Sequence, residues 1–119
     1  MSDFCTASGV TARKEHKCCE CYGVIGIGTR YMRIAGAQDG QGYSYKQCAD
    51  CRLAFNWLDL TLRTGPFGLS PDEGIEFCGL QSELAEYASE SRFRDPEPLR
   101  HLLGMAERRR AAELLRGSA

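Results

Sequence analysis

Two short cysteine pairs constrain this chain more than any other feature. Cys18-x2-Cys21 and Cys48-x2-Cys51 are separated by 26 residues. Each pair is a tight loop that turns two thiolates toward one point. Two such loops complete the tetrahedral four-sulfur shell that zinc takes in structural sites. The expected ion is Zn2+, held by Cys18, Cys21, Cys48 and Cys51. Iron is the alternative, because the same spacing serves it. His16 and Cys19 are reserve ligands beside the first pair. Cys5 and Cys78 are expected to pack as small apolar residues.

The segments around the pairs follow from local pattern. After Cys21, the run Tyr22-Gly23-Val24-Ile25-Gly26-Ile27-Gly28 suits a tight knuckle, with glycine available wherever φ must be positive. Arg30 to Ala35 reads as a strand, and Asp39-Gly40 is a hairpin signal within the loop from Gly36 to Gly42. Tyr43 to Lys46 alternates aromatic and polar residues and is the returning strand. A helix is expected from about Ala49 to Arg63, with Leu53, Trp57 and Leu60 as its apolar stripe and Ala54, Leu58 and Leu62 widening it. Thr64-Gly65-Pro66 stops it. Ser70-Pro71-Asp72-Glu73 has the form of an N-terminal cap for a second helix running to about Glu90, with Phe77, Leu80, Leu84, Tyr87 and Ala88 on one face. Two prolines break the chain between Arg92 and Pro98. A third helix then starts at Leu99 and extends through Leu115.

The fold class expected is therefore α+β. Knuckle, hairpin and helix in that order make a treble-clef-like zinc module over residues 16–66. An irregular arm, residues 1–15, precedes it. Two C-terminal α-helices within residues 67–119 pack on it as one domain.

At 119 residues, with 43% hydrophobic and 26% charged side chains, the chain has the composition of an ordinary globular domain. No apolar run reaches the length of a membrane span. The N-terminus lacks the apolar stretch of a secretory signal. Seven cysteines without an export signal favour thiols and metal over disulfides, so a cytoplasmic location is expected. Catalysis has little to work with. A four-cysteine shell leaves no open position for a substrate water, and the two histidines, His16 and His101, lie in distant segments. The chain is not expected to be an enzyme.

The formal net charge of −1 conceals a segmented distribution. Residues 1–69 carry eight basic and six acidic side chains, and residues 70–91 carry six acidic and none basic. Four thiolates and a divalent ion would add −2 to the first segment and bring it to neutrality. Affinity for nucleic acid that ignores sequence needs net positive surface, so this balance argues against it. Glu76, Glu83, Glu86 and Glu90 form an acidic face on the second helix and are the candidate partner-binding residues.

The run Arg13-Lys14-Glu15-His16-Lys17-Cys18-Cys19-Glu20-Cys21, with Cys48-Ala49-Asp50-Cys51 and the later Phe77-Cys78-Gly79-Leu80-Gln81-Ser82-Glu83-Leu84, resembles small cysteine-rich, zinc-finger-like proteins of phages and prophages. Most of those have no assigned function. The resemblance implies a mobile-element origin and stops at the arginine-rich end from Pro96 onward. Small phage proteins without active sites commonly occupy a surface of a host machine. The first expectation is a zinc-stabilised interaction protein that inhibits a host nucleic-acid-processing or defence complex, in the manner of an anti-CRISPR. Its partner is a host protein or nucleoprotein complex, met through the acidic face. The alternative is a DNA-binding, transcription-regulating finger that uses Arg30, Arg33, Lys46 and Arg52. A structural or scaffolding role is the third reading.

Overall fold

The structure is a computed structural model and describes residues 4–64, 75, 78–91 and 94–117. It is an α+β arrangement of two small sheets and three helices. Strands β1 (Phe4–Thr11), β4 (Arg30–Gln38) and β5 (Gln41–Cys48) form an antiparallel sheet in the order β1-β4-β5. Strands β2 (His16–Lys17) and β3 (Val24–Ile25) form a separate two-stranded ribbon. Helices α1 (Ala49–Thr64), α2 (Leu80–Glu90) and α3 (Pro96–Gly117) follow.

The β4–β5 hairpin turns on Asp39 and Gly40, with Gln38 paired to Gln41. Both loop residues have positive φ, 53° and 81°. This is the two-residue turn whose twist matches that of the flanking strands. The returning strand sets Tyr43 and Tyr45 side by side, their ring centroids 5.5 Å apart.

Four expectations need correction. The N-terminal arm is not irregular over its length, because residues 4–11 pair with β4 from Phe4↔Ala37 to Thr11↔Arg30. Thr6, Ala7, Ser8 and Gly9 have no apolar alternation to announce a strand. Their pairing comes from the β4 edge, a template of open N–H and C=O groups. In α1 the buried residues are Cys51, Ala54 and Leu58, whereas Leu53 and Leu60 are 65% and 63% exposed. Trp57 is half-buried and lies edge-on to Tyr87, with centroids 5.8 Å apart.

The second helix does not run unbroken from Asp72. Ile75, Cys78 and Gly79 are not helical, and Cys78 sits at φ 67°. The cap at Ser70 to Glu73, together with Glu76 and Phe77, lies outside the described residues. Finally, α3 begins at Pro96 rather than Leu99. Pro96 and Pro98 occupy its first turn, where a missing N–H breaks no helical hydrogen bond. Asp95 Oδ1 accepts the Glu97 N–H at 3.0 Å and caps the start.

The core gathers where these elements meet. Ile25, Leu58, Leu80, Leu84 and Met105 are fully buried together with Cys18, Cys21 and Cys51. Burying an aliphatic side chain of this size contributes about 1.5–3 kcal/mol. The cysteine cluster is thus part of the core and not a surface attachment. No helix among the described residues is long and apolar enough to cross a membrane.

Candidate metal centre

The Sγ atoms of Cys18, Cys21, Cys48 and Cys51 all lie within 4.8 Å of one another. Four sulfurs bound at the usual zinc–sulfur length of about 2.3 Å would be separated by about 3.8 Å along each edge of a tetrahedron. Cys21 Sγ and Cys48 Sγ are 3.8 Å apart. The group is tetrahedral-like and compatible with a metal ion such as zinc. The donor set fits as well, since four sulfurs are the soft shell that selects such an ion.

Each pair is presented by a different device. The first sits in the turn between β2 and β3, closed by Cys18 N–H to Gly23 O at 2.9 Å and Tyr22 N–H to Cys18 O at 3.0 Å. Tyr22 takes the positive φ of 60° there. Within the run from Tyr22 to Gly28 the positive φ falls on Tyr22 and, at 85°, on Gly28, while Gly23 serves close approach. A Cβ on Gly23 would stand 3.0 Å from Arg108 Cβ and 3.1 Å from Cys21 Sγ. The second pair spans the junction where β5 ends at Cys48 and α1 carries Cys51 in its first turn.

Backbone amides point at the sulfurs. Glu20 N–H and Cys48 N–H donate to Cys18 Sγ at 3.4 and 3.3 Å, Gly23 N–H to Cys21 Sγ at 3.3 Å, and Cys51 N–H to Cys48 Sγ at 3.4 Å. Such donors orient the ligands and favour their charged form. Hydrogen bonds from Cys18, Cys48 and Cys51 hold Cys21 well below the usual thiol range. Hydrogen bonding to Cys18 and Cys21 pushes Cys48 and Cys51 well above it. Four adjacent thiolates repel one another, and a divalent cation that displaces the remaining protons resolves the conflict.

One residue of the centre was not among the expected site residues. Arg108 of α3 donates from Nε to Cys21 Sγ and from Nη2 to Cys51 Sγ, both at 3.4 Å. Its Nη1 lies 3.8 Å from Asp50 Oδ2. Burial alone would lower the pKa of this guanidinium, but the sulfur contacts outweigh burial and raise it. Consecutive helical residues point about 100° apart, so Arg108, Arg109 and Arg110 face three different ways. Arg109 turns to Gln81 Oε1 at 2.6 Å and to the Tyr22 ring, while Arg110 is exposed.

The reserve ligands go elsewhere. His16 lies against Tyr31, with ring centroids 5.4 Å apart. Desolvation, then the Lys46 and Lys14 charges, lower its pKa. Cys19 groups with Glu20 and Cys78 within 4.8 Å. Burial first, then hydrogen bonding to Cys78, pushes the Cys19 thiol well above the usual range.

Glu20 itself is only 3% exposed. Its Oε2 accepts from Gln47 Nε2 at 3.2 Å, and its Oε1 accepts the Leu80 N–H at 3.3 Å. Gly79, at the N-cap of α2, has no side chain to offer the helix. The carboxylate from the cysteine knuckle therefore caps α2 across sixty residues of chain; burial pushes its pKa up, and the hydrogen bonds from Leu80 and Gln47 oppose that shift.

Of the acidic face, Glu83, Glu86 and Glu90 follow one another at spacings of three and four on α2, away from buried Leu80, Leu84 and Ala88. Glu76 lies outside the described residues. The four basic residues of the finger reading do not share a surface. Arg33 and Lys46 are directly opposite each other on β4 and β5. Arg30 points to the other face of the sheet, and Arg52 lies over Phe55 on α1. No family model, no curated protein and no solved structure matches this chain.

Proposed function

We propose that this chain is a zinc-organised binding module of treble-clef type, without catalytic activity of its own, that occupies a surface of a nucleic-acid-processing complex. The observation that carries the reading is the closed four-sulfur group. Four cysteines, backbone N–H donors and Arg108 surround the centre, and a shell so completed leaves no position for a reacting water. A zinc ion there would supply folding energy by holding the β2–β3 turn, the β5–α1 junction and α3 to one point. The module's work then falls to its outer surfaces.

The row Glu83, Glu86 and Glu90 is the surface assigned to a protein partner. A file of carboxylates imitates the charge of a phosphate backbone and steers toward basic channels that bind nucleic acid. In the phage setting implied by the cysteine-region resemblance, occupying such a channel would inhibit a host defence complex.

Two measurements test this. Protein purified under reducing, chelator-free conditions should contain about one zinc per chain by elemental analysis. Absence of metal would remove the premise, and iron would change the ion. Reversing Glu83, Glu86 and Glu90 together to lysine should strongly slow association with the host complex that the parent chain pulls down from lysate, since rim charges act mainly on the on-rate. Melting should change little at exposed Glu86 and Glu90, where substitutions usually stay within about 0.5 kcal/mol each, and fall modestly for half-buried Glu83, which stands in the first turn of α2. Unaltered association would dismiss the acidic row as a contact.

A further inference from the structure

On the sheet face that carries Tyr31, residues of β1, the β1–β2 connection and β4 enclose an open groove of about 840 Å³. Its lining includes Arg13, Lys14, His16, Tyr31 and Arg33. Lys46 stands directly across the strand pair from Arg33, and its charge, like that of Lys14, reaches His16. Arg13, Lys14, Arg33 and Lys46 make no ion pair with a carboxylate among the described residues. Glu15, the carboxylate nearest in sequence, lines a different depression with Lys17 and Tyr22.

Like charges placed directly opposite on antiparallel strands destabilise the pair. The Arg33–Lys46 juxtaposition therefore costs the fold something, and two further cations at the same groove add to it. An anion spanning the groove would relieve all four.

We propose that this groove binds the phosphodiester backbone of a nucleic acid, with Arg13, Lys14, Arg33 and Lys46 as its phosphate contacts. Three cations in the groove's lining, Arg13, Lys14 and Arg33, with Lys46 beside Arg33 on the next strand, match a chain of phosphates better than one compact anion. The only aromatic ring in the groove's lining apart from His16 is Tyr31, which is buried against it. Tyr31 offers no open ring face and His16 is half-buried against it, so recognition rests mainly on backbone charge and carries little sequence preference. The formal charge balance of the N-terminal segment conceals this surface, because five of its six acidic residues, Glu15, Glu20, Asp39, Asp50 and Asp59, are not in the groove's lining, and the sixth, Asp3, lies outside the described residues. No residue of α2 lines it either. The inference goes beyond the acidic-row reading and does not depend on it.

The test uses the intact metal-loaded protein and labelled single-stranded and duplex oligonucleotides of unrelated sequence, with anisotropy read over a salt series. Neutralising about four phosphates of a duplex predicts a log–log salt slope between about −3 and −4. Affinities should be similar for unrelated sequences. Arg33→Gln with Lys46→Gln should weaken binding about tenfold or more at low salt and reduce the slope by about 2. The same double variant should melt no lower than the parent, since a like-charge pair is relieved. Arg13→Gln with Lys14→Gln, on the exposed connection, provides a second variant should the first fold poorly.

Unchanged affinity and slope in both variants would overturn the proposal. Equal occupancy by inorganic pyrophosphate, with competition at matched phosphate concentration, would also overturn it and identify a small-anion site. Because the probe contains no protein partner, failure here leaves the acidic-row reading standing, and failure of that row leaves this groove standing.

Discussion

Cys51→Ser should yield a chain that retains no metal and loses its cooperative melt, while Cys78→Ser should hold metal and melt close to the parent. Cys51 has no exposed surface and sits among three other sulfurs. A serine hydroxyl there replaces a thiolate ligand with a group that keeps its proton at neutral pH. Binding of a structural zinc is worth about 10–16 kcal/mol in small zinc modules, and that free energy is folding free energy. Losing most of it removes an amount comparable to the whole net stability of a typical domain, about 5–15 kcal/mol. The three structures held to the ion should then loosen together.

Cys78, by contrast, is exposed and belongs to the cluster with Cys19 and Glu20. Circular dichroism melts with a colorimetric assay of bound zinc would compare the two variants. Adding chelator to the parent should reproduce the Cys51→Ser behaviour, which ties the effect to metal and not to lost packing. If both cysteine variants melt alike, the four-sulfur assignment is wrong.

The parts legible in the sequence are those written by neighbours in the chain. The spacing of Cys18, Cys21, Cys48 and Cys51 needs only local loops to present sulfur pairs. Asp39-Gly40 announces a turn because its two residues must take positive φ. The span of α1 follows from helical periodicity and its stop signal.

What was not legible depends on distant partners. Periodicity alone allows α1 to bury either Leu53 and Leu60 or Ala54 and Leu58, and the metal shell decides between them. Once Cys51 must face the other sulfurs, residues three and seven positions further, Ala54 and Leu58, turn inward with it. The start of α2 is set by Glu20 from the knuckle, so no signal adjacent to Leu80 marks it. Strand β1 is small and polar and exists because β4 offers an edge.

Arg108 is the intermediate case. It lies three residues after buried Met105 and four before buried Ala112. A cation on an otherwise apolar helical stripe is itself a signal that an anion waits across the interface.

Arg108→Met should therefore leave the fold recognisable but weaken both metal retention and the docking of α3. Methionine keeps much of the arginine stem's apolar contact and removes the guanidinium. Two hydrogen bonds to sulfurs that carry charge in the metal-bound state are lost, from a side chain only 27% exposed. Hydrogen bonds to charged groups contribute about 1.5–3 kcal/mol each in measured series. The long N–H···S geometry puts the joint loss near the lower end, at about 2–3 kcal/mol. Four thiolates and a divalent ion also leave a net charge of −2, which Arg108 partly offsets, so sulfur should protonate and release metal more readily without it.

The expected results are a lower melting temperature, several-fold faster transfer of zinc to a competing chelator, and earlier proteolytic cleavage within α3. Arg108→Lys should fall between, because one ammonium lacks the planar fork that reaches Cys21 and Cys51 together. Zinc transfer and melting identical to the parent in Arg108→Met would mean that the guanidinium only rests over the sulfurs, and that apolar packing alone holds α3 in place.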